Sequence, residues 1–207
     1  MKNSILFLRR AALAITATAC IAAGDLALGQ DKAKISNLSF DELPSPDLPG
    51  TKNKSFKPKD WLEVEAGITI PAMNREMKES GSLDRVLVKW YVAIEEKSSG
   101  KPILMTKDIT HINVPIDEEF YTSVYFSPNT IKRITGSDRA AKSKVKVVAL
   151  EVLINGVKVA EETSSMKSGW WNSPSLSRGD RYPLLNKYET PFKVYWWDRY
   201  AEIEERR

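Results

Sequence analysis

The chain has 207 residues, a formal net charge of +4, six tryptophans, one histidine and one cysteine. That length supports a sizeable hydrophobic core even after loss of a leader. Acidic and basic residues are interspersed rather than gathered on one face, which removes the electrostatic grounds for nucleic-acid binding.

The N-terminus reads as a secretory signal over residues 1–29. Lys2, Arg9 and Arg10 form a basic start, residues 11–23 are apolar and small, and Ala27-Leu28-Gly29 offers a cleavage site before Gln30. The apolar run is shorter than the roughly 20 residues a membrane span needs. Cleavage would remove Lys2, Arg9, Arg10 and Asp25 and leave a charge of +2. The destination is extracytoplasmic: periplasm, outer membrane or cell surface. Cys20 falls inside the leader, so the mature chain is expected to hold no thiol and no disulfide. Ala17-Thr18-Ala19-Cys20 is a poor lipoprotein signal, with Ala17 where Leu or Val is usual. Membrane contact is expected only if Cys20 is lipidated.

Residues 30–59 are polar and carry Pro44, Pro46, Pro49 and Pro58, and read as a semi-extended linker. The folded domain is expected over 60–207. Leu62, Val64, Ala66, Ile68 and Ile70 alternate with polar or small residues, a half-buried strand ended by Pro71. Residues 73–81 read as a loop or one helical turn. Residues 86–94 are apolar on much of both faces and belong in the middle of a sheet. Strands follow over 103–114 and 120–126. Ser127-Pro128 opens a short helix that Gly136 stops. Residues 145–154 and 157–162 flank Asn155-Gly156, a strong hairpin signal. The aromatic run 192–197 is β-prone. About seven strands with one short helix predict an all-β, immunoglobulin-like antiparallel sandwich with an aromatic C-terminal extension.

Catalytic chemistry has little to build on. One histidine and no mature cysteine exclude Cys–His catalysis and multi-histidine metal sites. His111 falls at an ordinary strand position, and no serine sits in a nucleophile elbow. Asp117-Glu118-Glu119 lacks the alternating spacing of a calcium loop and reads as a solvated turn. No catalytic residue, metal or cofactor is predicted, and an enzyme is not expected. Arg178-Gly179-Asp180 reads as a turn beside Tyr182-Pro183 rather than a receptor motif.

Four tryptophans come as pairs, Trp170-Trp171 and Trp196-Trp197. On strands, each pair would send one ring inward and one outward, and an outward ring could stack on a sugar or a partner. These four are the candidate binding residues. The favoured role for these rings is to cover the sandwich ends and anchor residues 164–188 to the core, because buried large aromatics are the commoner case.

Trp61-Leu62-Glu63-Val64-Glu65-Ala66, the run from Leu83 to Val92, Phe126-Ser127-Pro128-Asn129-Thr130 and Tyr195-Trp196-Trp197 carry a resemblance. In these stretches the chain resembles exported immunoglobulin-like proteins of Verrucomicrobia associated with type IV pili, a family represented in Akkermansia muciniphila. The resemblance implies an accessory role in pilus assembly or surface attachment, through contacts with pilus or envelope proteins, and supplies no catalytic residues. The leader lacks the early glutamate and long apolar helix of a pilin, so a major pilin is not expected. The alternative is a carbohydrate-binding surface module that uses the same tryptophans on a glycan. A more distant one is a hydrolase working through Asp117 or Glu119.

Overall fold

The computed structural model describes residues 32–46, 57–137, 139 and 142–205; the expected signal segment and Cys20 lie outside them. Two sheets face each other, as the alternation predicts. One has the order β1 (Lys34–Pro44), β2 (Asp60–Thr69), β5 (Glu119–Phe126), β9 (Leu185–Asn186). The other runs β10 (Glu202–Ile203), β4 (Pro102–Pro115), β3 (Ser82–Glu95), β6 (Val145–Ile154), β7 (Val157–Thr163). The short β8 (Ser177–Arg178) also pairs with β4, in parallel. The architecture is the all-β antiparallel sandwich that the strand count predicts. Among the described residues, no helix is long and apolar enough to cross a membrane.

The core follows from period two. Leu62, Val64, Ala66 and Ile68 of β2 face Val86, Val88, Trp90, Val92 and Ile94 of β3, with Phe120, Val124 and Phe126 from β5 and Val148, Leu150 and Val152 from β6. β3 lies between β4 and β6, the central position its two apolar faces require. Asn155 and Gly156 both take positive φ (51° and 79°), the backbone of a type I′ hairpin turn. α1 (Arg75–Ser80) is capped by the Asn74 side chain. In α2 (Pro128–Thr135), Ser127 caps the first turn and Gly136 ends the last in the left-handed region.

Two segments depart from the sequence reading. The stretch read as linker contains β1, which pairs with β2 from Lys34↔Thr69 to Pro44↔Asp60. A bulge between Ser36 and Ser39, with Asn37 at φ 53°, breaks the alternation that would have exposed it. Pro44 is tolerated because it closes an edge strand. The second departure is the run 192–197, which forms 3₁₀ turns at Pro191–Val194 and Trp197–Arg199 instead of a strand.

Residues beyond β7 act as a strap. A 3₁₀ turn at Trp170–Asn172 covers the outer face of β3, β4 and β6, where Ala93, Leu104, Val147 and Ala149 make a second small core. The chain then pairs through β8 with β4 and through β9 with β5, and residues 187–200 lie over the outer face of β2 and β5. β10 returns it to β4.

Candidate functional site

The two tryptophan pairs have different fates, and neither sits on a strand. Trp170 and Trp171 are each only 7% exposed. The 3₁₀ turn directs both rings at the sheet: Trp171 stacks on Tyr91 (4.5 Å between centroids, 12° between planes), and Trp170 meets Trp171 edge-on. The expected one-in, one-out split therefore fails for this pair, because a tight turn does not alternate faces as a strand does. Trp196 and Trp197 are 49% and 53% exposed, so the split fails there as well.

Trp196 belongs to a charged and aromatic cluster on the outer face of β2 and β5. Phe192 anchors it, stacking on Tyr125 at 5.2 Å and meeting Trp61 edge-on at 5.7 Å, with Trp196 parallel above at 6.5 Å. Alternation along β2 puts Glu63 and Glu65 side by side on that face. Tyr125 donates to Glu63 Oε1 at 2.6 Å and receives a hydrogen bond from Ser123 at 2.9 Å. Tyr200 donates to Glu65 Oε1, and Arg199 donates to Glu65 Oε2 at 2.8 Å while lying 3.7 Å over the Tyr121 ring. Burial pushes the Glu63 carboxyl up to about 6, against the opposing hydrogen bond from Tyr125.

Lys187 is buried beneath the same strap. Its ammonium donates to the Tyr195 carbonyl and lies 4.6 Å over the Tyr200 ring and 5.8 Å from the Trp197 ring. Burial lowers its pKa to about 8, opposed by the nearby Glu63 charge. A cleft of about 230 Å³ opens between Leu43, Glu63, Glu65, Trp196, Arg199 and Tyr200. Of the residues lining the cleft, the sequence pattern singles out only Trp196; the spacing of Glu63 and Glu65 on one strand face is the further signal it holds.

A second feature lies on the opposite sheet. β4 is bordered by β8 at Ile103–Leu104 and by β10 at His111–Ile112, with a gap between. Leu104 accepts from Gly179 N–H at 2.8 Å and Thr110 from Glu204 N–H at 2.9 Å. Alternate residues of a strand direct their backbone groups to the same side, so Thr106 and Asp108 turn theirs to this gap. A cavity of about 800 Å³ adjoins it, lined also by Asn186, Tyr188 and Glu189, and Lys107 of β4 reaches Glu189 across it at 2.6 Å. Arg178-Gly179-Asp180 forms the upper border of the gap: Arg178 is in β8, and a Cβ on Gly179 would fall 2.3 Å from Met105 Sδ.

The remaining candidates are structural in their contacts. His111 is buried, with Nδ1 at 3.3 and 3.2 Å from the carbonyls of Ala201 and Glu202, and Nε2 2.8 Å from Thr122 Oγ1. Two carbonyls at Nδ1 require the proton there, leaving Nε2 to accept from Thr122. Asp117 accepts from Ala72 N–H at 3.2 Å and takes φ 63°, a turn geometry. Glu119 accepts from Ser36 and Tyr121. Among the described residues, no group of three or more His, Cys, Asp or Glu is placed to hold a metal ion.

A protein-family model matches residues 25–207. A crystal structure of a protein from Akkermansia muciniphila is 34% identical, aligning over 85% of this chain and 94% of that one with a TM-score of 0.75. The chain belongs to this family. No curated protein matches it. The family match spans the described sandwich and its strap together, so the strap is part of the family's shared sequence.

Proposed function

We propose that the protein is a non-catalytic, exported accessory of a type IV pilus or related envelope assembly, and that it holds its partner by strand addition at β4. The observation that carries this reading is the interrupted edge, where Thr106 and Asp108 turn backbone donors and acceptors to a cavity of about 800 Å³. An extended segment of a partner protein fits that gap, its main chain completing the ladder and every second side chain entering the cavity. The β7 edge is less inviting. β7 carries Lys158 and Glu161, joined at 2.5 Å, the charged dressing that keeps an edge from pairing. Family membership with the Akkermansia muciniphila protein, and the leader expected over residues 1–29, support the envelope setting.

The test is capture from native envelopes and sheared pili with tagged wild type and Asp108→Pro. Proline deletes the outward N–H while leaving the hydrogen bonds of β3 and β4 to odd-numbered residues. Wild type is expected to enrich pilins or pilus assembly proteins, and Asp108→Pro to lose them while keeping its circular dichroism spectrum. Equal capture by both would contradict strand addition; absence of pilus components from the wild-type fraction would contradict the pilus role.

A further inference from the structure

The cleft beside Trp196 lies on the sheet opposite the strand-addition surface. Three observations converge on it. First, Trp196 sits at φ 55°, ψ 45°, a left-handed conformation that is costly for a bulky residue. Strain of this kind persists where the surroundings over-determine it, and it clusters at ligand-binding positions. Second, the strained conformation buries only about half of the indole: one side stacks on Phe192, while the residue stays 49% exposed and borders the cleft. Third, the polar groups around it are fixed. Glu65 has one carboxylate oxygen held by Tyr200 and the other by Arg199 at 2.8 Å, yet each oxygen keeps a second lone pair.

These groups also select a ligand class. Two neighbouring carboxylates disfavour an anion. A free cation would find its places taken, since the Arg199 guanidinium already pairs with Glu65 and the Lys187 ammonium already lies over Tyr200. What remains is a neutral molecule with an apolar face for the indole and hydroxyl groups for carboxylate and guanidinium. A pyranose ring has both. The cleft, at about 230 Å³, lies below the usual range of about 300–1,000 Å³ for drug-sized ligands and suits a single ring. We propose that this cleft binds one neutral sugar ring, stacked on Trp196 and hydrogen-bonded to Glu65 and Arg199.

Saturation-transfer NMR and tryptophan fluorescence test this with the mature protein and methyl glycosides of glucose, galactose, mannose, N-acetylglucosamine and N-acetylgalactosamine. A shallow single-ring site predicts dissociation constants on the order of 1 mM for at least one of them. Trp196→Gly separates binding from folding, because glycine accepts the left-handed backbone at no steric cost. The expected result is binding weakened at least tenfold with the circular dichroism spectrum retained; relief of the backbone strain and loss of the stacking on Phe192 act on stability in opposite directions. Glu65→Gln, which keeps the side-chain shape, is expected to weaken binding several-fold. The proposal is overturned if none of the five glycosides binds at about 20 mM, or if binding survives in Trp196→Gly.

Discussion

Glu63 and His111 are buried titratable groups whose effects on stability oppose one another. Burial raises Glu63 from 4.5 to about 6, so the folded state binds its proton more tightly than the unfolded state. That contribution favours the fold below pH 4.5 and is lost as pH rises through 6, about 2 kcal/mol in all. His111 has the other sign. Burial lowers it from 6.5 to about 4, so its contribution is complete above pH 6.5 and is lost as pH falls through 4, about 3 kcal/mol. The two nearly cancel in the wild type between those limits. Glu63→Gln should therefore stabilise the protein at pH 7 and steepen its loss of stability on acidification. Urea unfolding at pH 7 and pH 4.5 checks both; parallel curves for variant and wild type would refute the assignment. Neither group was legible as special in the sequence. Glu63 is one of several polar residues alternating along a strand, and only the strap, contributed from more than a hundred residues away, buries it.

The legible elements are those whose local signals agree. The β3 pattern, the Asn155-Gly156 hairpin and the Ser127-Pro128 cap each combine periodicity with turn or cap chemistry, and each stands where those signals put it. β1 was hidden because its bulge shifts Ile35 and Leu38 out of period two, in a stretch rich in proline. The run 192–197 departs from its β-prone reading for a related reason. Aromatic residues favour strands on average, but here Pro191 at the start of a 3₁₀ turn overrides that preference. Phe192 then becomes the residue that fastens the turn to the sheet. Phe192→Ala removes its contacts with Tyr125, Trp61 and Trp196 and should cost about 3 kcal/mol. It should also speed proteolysis within 187–200. A cleavage rate equal to wild type would mean that the strap is held elsewhere.

At the level of the whole molecule, the strap explains why a sandwich without a cysteine among its described residues is closed along one side. It covers part of each sheet's outer face and borders both β5 and β4, and His111 pins its end through the carbonyls of Ala201 and Glu202. What it leaves open is the stretch of β4 between β8 and β10, and that opening is the basis of the proposed role. Amide hydrogen exchange, resolved by residue, tests it most directly. In the isolated protein the amides of Thr106 and Asp108 should exchange fast, while those of Lys107 and Ile109, turned toward β3, exchange slowly. On addition of the captured partner, Thr106 and Asp108 should slow by at least about tenfold as the ladder is completed. Protection of both amides in the free protein, or no change with the partner bound, would contradict strand addition at β4.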